Sequence, residues 1–304
     1  MQAIIKWMAQ QLPAADGDCR RLFHGRGGMV PGYEWLVIDW LPPVAVIRVY
    51  QPASPDKVAP LVEWLGQRPE VEAVVWQPRG QQADAGVECL YGEVIGPHVV
   101  TEAGLRYQVD ARAVQNSGLF LDMRPGRAWV RQHAEGARVL NLFAYTCAFS
   151  VAAVAGGAEC VVNVDMSSRS LSTGRSNHRL NAQDAADVRY LAVNLLRSWS
   201  RIRRPGPYEL VVIDPPSFQP GSFVAVKDYI KVLRRLPELT LPGSRVLLCH
   251  NDPRETRQFL EELMEENLPD FARLDSFGAG DDFPECGDHQ GLKVTVYQRE
   301  GADA

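Results

Sequence analysis

The 304-residue sequence is marked first by what it does not contain. No apolar run reaches the roughly 18 residues that would span a bilayer, so a membrane-spanning helix is not expected. The six cysteines (Cys19, Cys89, Cys147, Cys160, Cys249, Cys286) lie far apart, with no C-x-x-C pair and no histidine at ligand spacing, which argues against a structural metal or a disulfide framework. G-x-G-x-x-G is absent, and so is G-x-x-x-x-G-K-[ST]; a dinucleotide or a nucleoside triphosphate is therefore a poor match. Positive charge is not in excess: 32 Lys and Arg face 37 Asp and Glu, for a net charge of −5. A protein that held a polyanion by overall charge would be basic. The first eleven residues lack a basic leader and a small-residue cleavage site, so the expected location is the cytoplasm.

What is present is an ordinary globular composition, 46% hydrophobic and 23% charged, at a length that suggests two domains. Charge is distributed unevenly. Between Arg169 and Arg204 eight arginines face only Asp184 and Asp187, whereas from Glu255 onward thirteen acids face four bases. A solvated helix face explains such a stretch as readily as a patch that tracks phosphates.

The first hundred residues read as a small α+β module, expected over residues 1–112. Apolar, β-branched runs at 35–40 and 44–50 flank Pro42-Pro43, which cannot continue a paired strand. A helix is expected over about 55–67, with Val58, Leu61, Val62 and Leu65 on one face, followed by strands at 71–77, 88–95, 98–101 and 105–109. From about residue 138 strands and helices alternate, as in a parallel sheet covered on both faces, and a second domain is expected over residues 113–304. Its strands are expected at 138–143, 160–164, 188–193, 209–213 and 245–250, with a closing pair at 271–276 and 292–298. Helices should follow Thr146, Ser167 and Pro253, and another should run over 226–239. The stretch 113–137 reads as a bend.

In a doubly wound sheet the ligand lies beyond the carboxyl ends of the strands, near the point where strand order reverses. Four places qualify: the segment from Asn141 to Thr146, Asp165, Asn194, and Asp214-Pro215-Pro216-Ser217-Phe218. Asp165 can accept from both hydroxyls of a ribose, or cap the next helix, although Ser167 already suits that cap. Two prolines after the strand at 209–213 remove N–H donors and leave carbonyls free, while Phe218 offers a flat stacking face. A nucleoside ligand with no phosphate to cradle is what these features admit, and S-adenosyl-L-methionine fits that description.

The blocks Arg21-Leu22-Phe23-His24-Gly25-Arg26-Gly27-Gly28, Ser117-Gly118-Leu119-Phe120-Leu121-Asp122-Met123-Arg124, Asn141-Leu142-Phe143-Ala144-Tyr145-Thr146 and Asp214-Pro215-Pro216-Ser217-Phe218 resemble the S-adenosylmethionine-dependent methyltransferases of large-subunit ribosomal RNA, the relatives of the 5-methylcytosine and 7-methylguanine enzymes of 23S RNA. The resemblance covers about residues 20–298. It implies a class I, Rossmann-like α/β fold with a seven-stranded, mostly parallel sheet behind the small α+β domain, without the RNA-binding PUA domain that begins some members. It further implies a cofactor held against Phe143, Tyr145 and Thr146, with its ribose on Asp165, its adenine beside Asn194 and its methionine end near Asp214. Asn141, Asp122 and Arg124 would belong to the same pocket. Two positions depart from the pattern: many relatives carry Gly where this chain has Cys147, and usually Asp where it has Asn194.

Methylation at carbon 5 of cytosine needs a cysteine that adds to the ring. The relevant relatives carry one in a Ser-Cys-Ser element after the fifth strand, but Cys249 falls inside that strand, as a buried, inert thiol would. The expected reaction is therefore methylation of a base nitrogen in RNA, with Asp214, Pro215 and Phe218 placed at the acceptor. His24 and Arg26, in their glycine-rich block, could meet an RNA phosphate or simply belong to a tight turn. Lys227, Lys231, Arg234 and Arg235 extend the positive surface, or form a solvated helix face. A methyltransferase for a small molecule or protein, and a catalytically silent RNA or ribosome-assembly binder, are the alternatives.

Overall fold

The computed structural model describes residues 1–12, 17–80, 86–219, 223–287 and 291–301. The chain divides into two compact units, one of Met1–Asp122 with Gly280–Cys286, the other of Met123–Ala279 with Gly287–Ala304.

The first unit contains helix α1 (Gln2–Gln11), strands β1 (Arg20–His24), β2 (Leu36–Leu41) and β3 (Val44–Val49), helix α2 (Ala59–Gly66), and strands β4 (Ala73–Pro78), β5 (Glu88–Gly92), β6 (His98–Glu102) and β7 (Leu105–Val109). Strands β1 to β5 form one sheet in chain order, and β6 and β7 form a hairpin. Only β3 and β4 are parallel, and α2 supplies the crossover that a parallel pair requires. Alternation along the strands sends Leu36, Ile38, Trp40, Ala45 and Ile47 to one face, where they pack against Ile4 and Met8 of α1 and Leu61 and Leu65 of α2. The expected order strand, strand, helix, strand, strand is present as β2 to β5. Strand β1 and helix α1 precede it and were not anticipated.

The sequence placed a boundary at 112/113, but residues just beyond it are hydrogen-bonded into this unit. Gln77 donates to the Ala113 carbonyl, Arg79 Nη1 donates to Val114 O at 3.0 Å, and Asp110 N donates to Ser117 O at 2.7 Å. The segment Gly280–Cys286 is held in the same way. Cys286 N donates to Gly27 O at 2.7 Å, Asp282 pairs with Arg20, and the Arg21 guanidinium lies 4.3 Å from the Phe283 ring centre. A Cβ on Gly27 would lie 2.0 Å from Pro284 O, so this close approach requires glycine.

The second unit runs α3 (Arg124–His133), β8 (Arg138–Leu142), α4 (Ala148–Ala155), β9 (Cys160–Asp165), α5 (Ser168–Leu180), β10 (Asp187–Ala192), α6 (Trp199–Arg203), β11 (Tyr208–Ile213), β12 (Phe218–Gln219), β13 (Phe223–Val224), α7 (Ala225–Leu233), α8 (Leu236–Leu239), β14 (Thr240–His250), α9 (Gln258–Asn267), β15 (Phe271–Phe277) and β16 (Lys293–Arg299). Its seven-stranded sheet has the order β10-β9-β8-β11-β14-β16-β15. The first five are parallel, and β16 runs antiparallel to both neighbours. Order reverses between β8 and β11, which fixes the switch point. Both faces are covered, as a parallel sheet demands. Leu140, Leu142, Val211 and Ile213 pack toward Tyr229, Val232 and Leu260, while Val139, Leu210 and Val212 pack toward Trp129, Val130 and Phe149.

Three local differences from the sequence reading have simple causes. The bend at 113–137 contains α3, whose first turn accommodates Pro125 and whose Trp129 and Val130 are buried. The helix expected over 226–239 is divided into α7 and α8, with Pro237 in the first turn of the second. Strand β14 starts at Thr240, and Pro242-Gly243 lies within an irregularity where the pairing jumps from Tyr208↔Thr240 to Leu210↔Arg245. Among the described residues no helix is long and apolar enough to cross a membrane.

Candidate active site

The turn after β8 is conformationally demanding. Phe143, Tyr145 and Cys147 have φ of 59°, 48° and 60°, a region that costs a non-glycine residue on the order of 1 kcal/mol or more. Hydrogen bonds hold it in place. Ala144 N donates to Val164 O at 3.0 Å, and Tyr145 N donates to Asp165 Oδ2 at 2.8 Å. Asp165 Oδ1 accepts from Ser167 N at 2.8 Å. The cap of α5 is Ser167, whose Oγ accepts from Ser170 N at 3.1 Å, so Asp165 is not the capping residue. Its carboxylate joins the turn after β8 to the turn after β9, and each oxygen keeps a further lone pair.

Beside Asp165 opens a cleft at the carboxyl ends of β8, β9 and β10. Phe143, Asp165 and Asn194 line it together, as the sequence predicts. Its apolar wall comes from Val164, Val193, Leu195 and Leu196. Asn194 precedes a short 3-10 turn at Leu195–Arg197 and makes no side-chain cap to it. Met166, Gln219 and Phe223 were not predicted. Phe223 is 3% exposed and packs edge-on to Phe143, with ring centres 4.9 Å apart, across the β12–β13 ribbon that follows the double proline. Sequence spacing gives no sign of this pairing.

Other predicted residues are placed elsewhere. Asn141 is 1% exposed, and its amide donates to Asn163 Oδ1 at 2.9 Å; Asn163 in turn donates to Ser150 Oγ, which lies 2.9 Å from His178 Nε2. Asn141 thus belongs to a buried polar chain rather than to the cleft, because its side chain points into a covered face of the sheet. Thr146 is also buried, and its carbonyl accepts from Asn177 Nδ2 at 2.9 Å, which ties the turn to α5. Tyr145 contributes its backbone N–H. Arg124 is the first residue of α3 and does not line the cleft, and Asp122 falls in the first unit.

Asp214, Pro215 and Phe218 follow β11. Pro215 is buried and Asp214 half-buried, while Ser217 Oγ donates to Asn251 Oδ1 just past β14. In the β12–β13 ribbon Phe218 faces Val224 and Gln219 faces Phe223. Successive strand residues point to opposite faces. Gln219 therefore turns to the cleft, and Phe218 is left 63% exposed. Tyr229, unforeseen, anchors this corner. Its buried hydroxyl lies 3.0 Å from Cys249 O and 3.3 Å from Ile213 O, between the ends of β14 and β11, and burial pushes the phenol well above its ordinary range.

The two notable thiols are buried. Cys249 is buried within β14, paired opposite Val294. Cys147 occupies the left-handed position where glycine is favoured, and its side chain is accommodated by Gly174 of α5: a Cβ there would lie 2.4 Å from Cys147 Sγ. Burial, then the neighbouring Asp165, pushes the Cys147 thiol far up. Much of the positive stretch is neutralised locally. Arg179, Arg189 and Arg203 pair with Asp184, Asp187 and Glu238, and Arg175 lies over the Tyr190 ring. On and after α7, Lys231 pairs with Asp228 and Arg235 with Glu238, as in a solvated helix face.

A parallel sheet with this strand order, carrying an acid at the end of its second strand and an apolar cleft beyond the carboxyl ends of its strands, defines a class I nucleoside-cofactor fold. The profile of the S-adenosylmethionine-dependent methyltransferases matches residues 20–298, and the chain belongs to that family, with S-adenosylmethionine as its cofactor. Bacillus subtilis YwbD, provisionally named a ribosomal RNA large subunit methyltransferase, is 28% identical over 96% of this chain and 77% of its own length. The Deinococcus radiodurans ribosomal RNA large subunit methyltransferase is 33% identical over 66% of this chain and 51% of its own, so the chain spans about half of that relative. Among solved structures SMU.776, a methyltransferase by provisional assignment complexed with SAH, superposes with a TM-score of 0.86 at 25% identity, covering 98% of this chain and 81% of that one. The lining fits such a ligand, since it offers a carboxylate, an amide, and aromatic and aliphatic walls.

Proposed function

We propose that this chain methylates a nitrogen of a base in large-subunit (23S) ribosomal RNA, in the cytoplasm. The observation that carries the reading is the pair Phe218 and Gln219. Gln219 lines the cofactor cleft, while its neighbour presents an aromatic face that is 63% exposed, one residue from the cleft wall and just after Asp214-Pro215-Pro216. A base stacked on Phe218 would sit on the ribbon face opposite Gln219, four residues along the chain from the Asp214 carboxylate and next to a double proline that offers carbonyls without N–H donors.

When bound, S-adenosylmethionine supplies a methyl group already activated on a sulfonium, so the protein's task is alignment and exclusion of water. Asp165 would accept the ribose hydroxyls, Asn194 the adenine edge, and Phe143 with Phe223 would close the apolar wall. Asp214 would accept a hydrogen bond or a proton from the acceptor nitrogen. Burial of Cys249 inside β14 supports nitrogen over carbon 5, since the carbon route needs an accessible thiolate. The names of the relatives above support RNA as substrate. Mass spectrometry of ribosomal RNA nucleosides from cells lacking the gene tests this: one N-methylated base should disappear, and an unchanged set of methylated nucleosides would refute it.

A further inference from the structure

The face of the first sheet turned away from α1 and α2 carries a row of polar side chains across four strands. Arg21 of β1 lies opposite Asp39 of β2, and Arg48 of β3 lies opposite Gln77 of β4. Acceptors in this row are shared. The Asp39 carboxylate pairs with both Arg21, at 2.7 Å, and Arg48. Gln77 Oε1 accepts from Arg48 Nε at 2.8 Å and from Arg79 Nη2 at 2.7 Å. Arg21 Nη1 also lies 2.8 Å from His24 Nδ1, Arg48 Nη2 donates to Ser117 Oγ at 3.4 Å and Arg79 Nη1 donates to Val114 O, so the three guanidiniums share one carboxylate and otherwise rest on neutral acceptors. A fourth, Arg26, lies 4.4 Å from the Tyr50 ring centre.

This is an unbalanced arrangement. Asp122 and Asp282 add their charges near Arg21, but Asp282 also pairs with Arg20, so five guanidiniums face three carboxylates. Arg48 is 6% exposed; burial, then Arg21 and Arg79, draws it down to about 9 despite its contact with Asp39. Arg21, Arg26 and Arg48 together outweigh burial at Tyr50 and draw its phenol down. The Arg79 Nε is buried and has no hydrogen-bond partner among the described residues. A network built only for stability gains nothing from uncompensated buried cations. The loop is also shaped for presentation: Gly25 and Gly27 are buried by close backbone approaches, and Arg26 between them is exposed.

The geometry points to a phosphate-binding site in the first unit, formed by Arg26, Tyr50 and the Arg21–Arg48–Arg79 row, that takes one phosphodiester of a polynucleotide. Forked guanidiniums and a phenolic hydroxyl are donors suited to a tetrahedral oxyanion. The polynucleotide as source rests on the RNA reading above; the oxyanion chemistry does not.

The test uses the full chain with Arg26→Gln, at an exposed position, and the isosteric Tyr50→Phe. Cofactor affinity and melting temperature without phosphate verify the fold. Binding of an oligouridylate is measured from about 50 to 200 mM salt. Arg26→Gln should weaken it several-fold and lower the slope of log K against log salt by about 0.7, the value for one phosphate contact on a single strand, whereas Tyr50→Phe should weaken it with the slope unchanged. In a second arm inorganic phosphate should raise the melting temperature of the wild type, and less so that of either variant. If only the phosphate arm responds, the oxyanion site stands with the free ion as its source, and nucleoside analysis alone decides the RNA reading. If both arms are the same in wild type and variants, the proposal is overturned.

Discussion

The Asp165 carboxylate accepts the backbone N–H of Tyr145 at 2.8 Å, so the acid that ends β9 also holds the turn that follows β8. Removing it should loosen that turn as well as delete a ribose partner. For Asp165→Ala, S-adenosylmethionine affinity measured by calorimetry should fall roughly 10- to 100-fold, the equivalent of one or two charge-assisted hydrogen bonds. Asp165→Asn should fall less. Unchanged affinity in the alanine variant would exclude the ribose role.

Cys147 and Gly174 form a size-matched pair, with only 2.4 Å between the sulfur and an added Cβ. Gly174→Ala should destabilise the protein by about 1 to 3 kcal/mol through overpacking. Adding Cys147→Gly should restore most of that loss, with a coupling of about 1 kcal/mol or more in urea denaturation. Simple additivity of the two changes would show that the thiol and the glycine are independent.

At the acceptor side, three substitutions separate stacking, acid–base and thiol roles. Phe218→Ala should lower kcat/KM on RNA about 5- to 150-fold, the range of one base–aromatic stack, and leave cofactor affinity unchanged. Asp214→Ala should abolish most turnover, while Cys249→Ala should retain it. Loss of activity in the cysteine variant with activity kept in Asp214→Ala would restore the carbon 5 route.

The α/β architecture was legible because Val211, Val212 and Ile213, or Val161 and Val162, are continuous apolar runs bounded by turn residues, as doubly covered strands must be. Asp165, Asn194 and Phe143 were legible for a related reason: strand ends fix their place before any contact is known. Phe223 was not, since its contact with Phe143 depends on a two-residue ribbon that pattern cannot register. Asn141 lies outside the cleft lining, and the pattern gives no sign of the buried amide pair it makes with Asn163. Helix α3 lies within the stretch 113–137 that reads as a bend, and its Pro125 suits a first turn.

His178 is 3% exposed and bonded to Ser150, and burial draws it down to about 4; His250 is likewise near 4. These folded values lie below the ordinary 6.5. As pH falls below 6.5, the unfolded chain takes up protons that the folded chain refuses. Stability contributed by the neutral rings is therefore complete above that pH and is lost on descent toward 4. At about pH 5 each ring should account for about 2 kcal/mol of that loss. Urea midpoints at about pH 7.5 and 5 should show it, and His178→Gln should reduce the difference by about half. An equal pH slope in the variant would contradict the assignment.

The segment Gly280–Cys286 belongs to the first unit although more than 150 residues separate it from Asp122. During synthesis, the partners of Arg20 and of the Gly27 carbonyl thus emerge more than 150 residues after Asp122. A fragment cut after Asp122 would lack the segment Gly280–Cys286, and domain-dissection experiments on the arginine row should graft residues 280–286 back or use the whole chain.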